Sequence, residues 1–154
     1  MITLTVRRND IPRVQASIKD RSVSAVRDNA HYMRDFARTI APVLTGAFRA
    51  SLYVNGPNNE SDYTQCVDAA KALRPEAKIV PELHAATLDT GVSQLRNNLG
   101  QFSLPEAIVS GAVEYTIYLE EGTVHMAPRP TLHNAALATE QKFKSDMSKV
   151  ADGF

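Results

Sequence analysis

The chain has 154 residues, enough for one domain with a real core and too few for two. Its 17 Lys/Arg balance its 17 Asp/Glu, so it lacks the basic excess of a sequence-specific nucleic-acid binder. No run approaches ~18 apolar residues, which excludes a membrane span, and the lone Cys66 excludes an internal disulfide or a cysteine-based zinc site.

In chain order, Ile2, Leu4 and Val6 alternate with Thr3 and Thr5, which predicts a short half-buried strand. The N-terminal residues lack an apolar signal core, so export is not expected and a reducing cytoplasm is the expected compartment. From Ile11 to Ile40 the pattern becomes helical. Val26, Ala30, Met33, Ala37 and Ile40 form a stripe that Ile18, Ala25 and Phe36 widen. Arg13, Arg27, Arg34 and Arg38 gather on another side. Pro42 ends this helix, because a residue before proline is pushed out of the α region.

After the turn at 41–46, the segment from Ala47 to Val54 reads as a strand. Phe48, Leu52 and Val54 lie on one side of a β period and Arg49, Ser51 and Tyr53 on the other; a helical first turn is the alternative. Residues 55–62 read as a loop, expected to be mobile. Val67, Ala70 and Leu73 predict a helix over Tyr63–Leu73, stopped by Arg74-Pro75. Pro81 opens another possible short helix reaching Leu88. The stretch 89–105, rich in Gly, Asn, Ser and Gln, is expected to hold a second mobile loop. Glu106 to Val113 reads as a strand of small residues, with Gly111 marking a bulge or a close approach.

The stretch from Tyr115 to Leu137 is the densest in signals. Tyr115, Tyr118 and Leu119 have helical spacing, and Gly122 stands where an αL cap would end a short helix. A Pro-rich arm over 123–130 follows, and Thr131 is the expected N-cap of the last helix. There Leu132, Ala136, Thr139, Phe143, Met147 and Val150 fall within a narrow arc. This predicts a one-sided amphipathic helix of about five turns, used for core packing.

Charge is unevenly spread. Residues 1–55 carry nine Lys/Arg against four Asp/Glu, residues 56–121 carry four against ten, and the remainder is close to neutral. Two readings follow: complementary faces within one subunit, or a basic face that meets the acidic face of a neighbouring copy. In the second reading Arg27, Arg34 and Arg38 are interface residues.

Catalytic and cofactor signatures are absent. Gly46, Gly91, Gly100 and Gly122 stand isolated, with no phosphate loop. His125 and His133 with Glu120 and Glu121 lack metal-site spacing. Cys66 and His84 lack a nucleophile motif, and a small buried thiol is the expected role for Cys66. Glu120-Glu121 reads as surface charge rather than a catalytic dyad. The chain is therefore not expected to be an enzyme and no cofactor is expected. An enzyme or toxin-like protein using His125, His133 or Cys66 is the runner-up of a different class.

Two blocks carry a family resemblance. The first is Ala41-Pro42-x-x-Thr45-Gly46-x-x-Arg49-x-Ser51. The second is Tyr115-x-x-Tyr118-x-Glu120-x-Gly122-Thr123, followed by Pro128, Pro130 and Ala135-Ala136. Set between a long N-terminal and a C-terminal helix, they resemble the minor tail-component family of long-tailed bacteriophages, which includes tail-completion and head–tail joining (neck) proteins. Glu120-Glu121-Gly122 stands where that family usually has Glu, an aromatic and Gly. The segment between Asn55 and Pro105 is longer than expected.

The resemblance implies a single α+β domain over 1–154, without catalytic sites. A small mixed or antiparallel sheet would pack against the long N-terminal helix and the C-terminal helix, as in tail-completion or tail-terminator proteins. It implies a virion structural protein, made in the host cytoplasm, that forms a six-fold ring joining the tail to the head connector. A tail terminator capping the tube is the near alternative. Expected partners are copies of itself, a connector or stopper protein, and a tail terminator or tube protein. Genome DNA would pass through the lumen without sequence-specific binding. Besides the three arginines, the candidate interface comprises Glu120, Glu121, Thr123, Val124, His125, Met126, Pro128, Arg129 and Pro130.

Overall fold

The computed structural model describes residues 11–43, 46–83 and 105–152. In chain order they form α1 (Ile11–Ile40), α2 (Ala47–Ser51), β1 (Leu52–Asn55), a 3-10 turn (Pro57–Asn59), α3 (Tyr63–Leu73), β2 (Ile108–Gly111), α4 (Thr116–Glu121) and α5 (Thr131–Asp152). The architecture is α+β: a two-stranded antiparallel sheet held among helices, with a long helix at either end. The strand predicted at Ile2–Val6 lies outside the described residues, as do most of the helix predicted from Pro81 and the loop at 89–105.

α1 runs for 30 residues, about 45 Å. It contains no glycine, and Pro12 sits in its first turn, where no intrahelical donor is lost. Its buried line is made of small residues, Ala30, Ala37 and then Ala41 just past the end, with Met33 and Phe36 half-buried beside them. α5 lays Thr131, Ala135 and Thr139 into this line. Small side chains on both helices allow close axial approach. A polar clasp fixes the register farther along. Asn29 donates from Nδ2 to Asp146 at 3.2 Å and accepts at Oδ1 from Lys142 at 3.3 Å. Because 29 meets 142–146 while 37–41 meet 135, the two helices run antiparallel. Hydrogen bonds from Lys142, Lys149 and Asn29 hold the Asp146 carboxyl well below the usual carboxylate range. Its contribution to stability is therefore present above the ordinary carboxylate pKa and is lost as pH falls through the lowered one.

The predicted stripe of α5 is correct at Leu132 and Thr139, with Met147 and Val150 half-buried, and fails at Ala136 and Phe143. Ala136 is exposed and Phe143 is 40% exposed, while Ala135 is fully buried. The reason is geometric: a phenyl ring does not fit where two helices touch through alanines, so Phe143 lies to the side, in an open groove with Val26, Met33 and Ile108. Ile18 and Ile40 of α1 are likewise 40% and 43% exposed, despite lying on the predicted stripe. Phe143→Ala is accordingly expected to cost about 1 kcal/mol in chemical denaturation, well below the ~3–5 kcal/mol of a buried phenylalanine. A loss above ~3 kcal/mol would show that the ring carries core packing after all.

The segment predicted as a strand from Ala47 divides in two. Gly46 turns the chain at φ 77°, five residues then form α2, and the strand begins only at Leu52. β1 pairs with β2 from Leu52↔Gly111 to Asn55↔Ile108. The ladder is prolonged at the far edge of the second strand, where Val80 donates to the carbonyl of Ala112 and Glu114 to that of Lys78. All four residues of β1 are buried, because helices cover both faces. Leu52 joins a cluster with Ala37, Phe48, Ala70, Val113 and Ala135. Tyr53 joins a second one with Cys66, Val67 and Ala112, and its ring meets Tyr63 edge-on at 5.0 Å. The Tyr53 hydroxyl accepts from the Leu83 amide, and burial pushes its pKa up.

Residues 55–62 form a closed turn rather than open coil: the Gly56 amide donates to the Glu60 carbonyl and Asn55 bridges to Ser61. α3 has the predicted bounds, with Val67 and Ala70 buried but Leu73 55% exposed. Gly111 is the close approach anticipated from sequence. A Cβ there would collide with the Thr116 hydroxyl, so glycine lets the start of α4 pack onto the end of the strand.

Candidate functional site

The two sequence blocks meet in space. Phe48 of α2 faces Tyr115 at a ring separation of 6.4 Å, and Tyr115 also lies beneath the Arg74 guanidinium at 5.7 Å. From that contact α4 leads outward into residues 122–130. The helix ends where the Gly122 amide donates to the Tyr118 carbonyl. Gly122 has φ 78° and ψ −177°, a region open essentially to glycine alone and distinct from the αL cap expected from sequence. A Cβ there would also sit 2.8 Å from both the Met126 carbonyl oxygen and the Pro128 nitrogen. Glycine thus permits the chain to fold back sharply.

The fold-back makes a tied hairpin rather than a loose arm. Thr123 and Met126 exchange backbone hydrogen bonds of 2.8 and 3.2 Å, the His125 amide donates to the Thr123 hydroxyl, and the Arg129 amide donates to the Leu119 carbonyl at 2.7 Å. At the tip Val124 is 98% exposed. Thr123, His125, Pro128 and Arg129 are exposed as well, whereas Met126 and Pro130 are half-buried. Of the candidate interface residues on the hairpin, Met126 and Pro130 are therefore the least available to a partner.

Glu120 has a role that no local sequence signal marks. Its Oε1 accepts the amides of Thr131 and Leu132, both at 2.8 Å, and Oε2 receives the His133 amide at 3.4 Å. The carboxylate therefore caps α5 from 11 to 13 residues away and sets a negative charge at the positive end of the helix dipole. Thr131, the predicted cap, is instead the first residue of the helix, and its hydroxyl donates to the Arg129 carbonyl. Glu120→Ala is expected to lower stability by roughly 1–2 kcal/mol. Glu120→Gln, which keeps an acceptor but not the charge, is expected to lose less. Equal stability of all three proteins in urea melts would remove the cap from the account.

Arg27, Arg34 and Arg38 of α1 are engaged inside the subunit. Arg34 pairs with Asp62 and with Asp35 and is 14% exposed. Burial alone would lower its pKa, but the hydrogen bonds and charges of Asp35 and Asp62 outweigh this and raise it. Arg38 donates to the Leu52 carbonyl at 2.8 Å and to the Cys66 sulfur at 3.4 Å, and its Nε is buried without an acceptor. Arg27 lies 3.6 Å from both Asp28 and Glu60. Glu60 and Asp62 belong to the acidic stretch, so the first charge reading, complementarity within one subunit, accounts for these contacts. The partner of Arg34 is in its own chain, and reversing these arginines would disturb the fold as well as any interface.

Asp62 is the residue that sequence reasoning passed over. It precedes α3 in the position of an N-cap but makes no cap bond. Instead Oδ1 accepts the Val54 amide at 2.7 Å while Oδ2 meets Arg34, joining α1 to the strand. Beside it Cys66 is buried, and its thiol donates to the Leu52 carbonyl. Burial and Asp62 push its pKa up, against the lowering influence of Arg38 and Arg34. Such a thiol is held protonated, the reverse of what a nucleophile needs.

His125 lies on the hairpin and His133 on the first turn of α5, with Glu120 committed to that helix end. No group of three or more potential metal ligands occurs among the described residues. No helix among them is long and apolar enough to cross a membrane. Comparison with protein-family models, with curated proteins and with solved structures returns no match.

Proposed function

We propose that the protein is a structural subunit of a long-tailed phage virion, a tail-completion or neck protein whose ring joins the tail to the head connector. The observation that carries this reading is the meeting of the two resembling blocks. Ala41 of the first block shares one core cluster with Tyr115 and Ala135 of the second, and Phe48, which lies between motif positions of the first block, joins them, although the blocks lie far apart in sequence. Segments that carry the resemblance thus pack into one structural unit, as a shared ancestral core would.

The exposed surface supports an assembly role. Ile117 and Tyr118 are 54% and 50% exposed on α4, the helix that leads into the hairpin, and Val124 is 98% exposed at its tip. Exposed apolar side chains that adjoin one another mark contact surfaces. In this reading the partners are further copies of the chain, a connector or stopper protein, and the terminator or tube protein at the end of the tail.

The test is complementation. A phage stock lacking this protein should accumulate filled heads and separate tails, and adding the purified protein should join them into infectious particles. Heads and tails that join equally well without it would overturn the reading. Tails of uncontrolled length in the deficient stock would instead identify a terminator.

A further inference from the structure

Arg49 on α2 and Glu121 on α4 are both exposed, and neither has an ion-pair partner among the described residues. They belong to two surfaces of complementary character. Arg49 stands at an open pocket of about 630 Å³ between the end of α1, α2 and α3. Arg34 pairs with Asp62 there and Arg38 lies 3.9 Å from Asp35, which leaves Arg49 as the lining charge without an ion-pair partner among the described residues. The pocket also has an apolar side, where Val43 is 66% and Leu73 is 55% exposed. Glu121 stands at the base of the hairpin, three residues before Val124. The hairpin thus offers a carboxylate beside an apolar tip, and the pocket offers a guanidinium beside an apolar wall.

No hairpin residue lines the pocket, so the two surfaces are separate patches of one subunit. We propose that the pocket receives the hairpin of a second copy of this chain. Val124 of the incoming copy packs between Val43 and Leu73, and its Glu121 carboxylate pairs with Arg49. Charge complementarity selects this occupant: a guanidinium beside an apolar wall repels a basic segment and gains little from a wholly polar one. The hairpin also arrives ordered, because its own backbone bonds and Gly122 already hold its shape. Little conformational entropy is then lost on docking. A contact between two different patches is heterologous and propagates head to tail, which closes a ring when the rotation per subunit divides a full turn. The proposal rests on the ring reading above and specifies its contact.

Charge exchange tests it on the intact chain, with circular dichroism confirming that each variant is folded. In sedimentation velocity at low salt, wild type should self-associate. Arg49→Glu alone and Glu121→Arg alone should each weaken association about tenfold or more, since like charges then face one another. The double variant should recover association, and so should an equimolar mixture of the two singles, because alternating copies restore opposite charges at every contact. If wild type assembles and the singles assemble equally well, or if the double fails to recover, this contact is overturned while the ring reading survives. If wild type shows no self-association, both fall together.

Discussion

Phe48→Ala is expected to cost roughly 3–5 kcal/mol, the range for removing a buried phenylalanine ring. The ring is 3% exposed and is placed by a helix of only five residues. It packs with Ala37 and Ala41 at the end of α1, Ala70 of α3, Val113 beyond β2 and Ala135 of α5. Four of those neighbours are alanines, too short to move into the space a phenyl ring leaves. The cavity would stay open, which puts the cost toward the upper part of the range. It would also remove the contact with Tyr115 that ties the first sequence block to the second. Urea denaturation measures the effect directly, and a loss under ~1 kcal/mol would show that the core does not converge on this residue.

Asp62→Ala is expected to be nearly as damaging, although the residue is polar and lies in a turn. The substitution leaves the buried Val54 amide without its acceptor, a penalty of about 1–3 kcal/mol. It also removes one of the two carboxylates serving Arg34, at a site where both side chains are under one-fifth exposed. Asp35 remains, 60% exposed and better solvated, so part of the guanidinium interaction survives. A combined loss of about 2–4 kcal/mol follows. Asp62→Asn keeps an acceptor for Val54 and is expected to recover roughly half. Thermal melts of the three proteins separate the backbone hydrogen bond from the ion pair. An unchanged melt for Asp62→Ala would mean that α1 is joined to the strand by apolar packing alone.

The arginine stripe illustrates how one chemical pattern supports two architectures. Nine basic residues early and ten acidic residues in the middle describe a chain that must bring opposite charges together, but nothing in their order says whether the partners lie in one molecule or two. The fold returns α3 and its preceding turn to α1, and Arg27 and Arg34 find Glu60 and Asp62 there. Arg49 and Glu121 are among the charges that such pairing does not reach.

Local chemistry alone determined the elements with uniform propensity and clear punctuation. The bounds of α1 and α3, the stop at Pro42, the end of α4 at Gly122 and the small-residue approach at Gly111 depend on residues within a turn or two of one another, so they can be read without a partner in view. Tertiary structure decided whatever depended on a distant surface. β1 is buried on both faces, which erased the alternation expected over Ala47–Val54. The close seam between α1 and α5 selected Ala135 over Ala136 and turned Phe143 outward, because two helices in contact accept only what fits between them. Glu120 reaches a helix end 11 residues on, and Asp62 an arginine 28 residues back. A carboxylate in a sequence states only that it will seek a donor, and the folded chain decides which donor comes within about 3 Å.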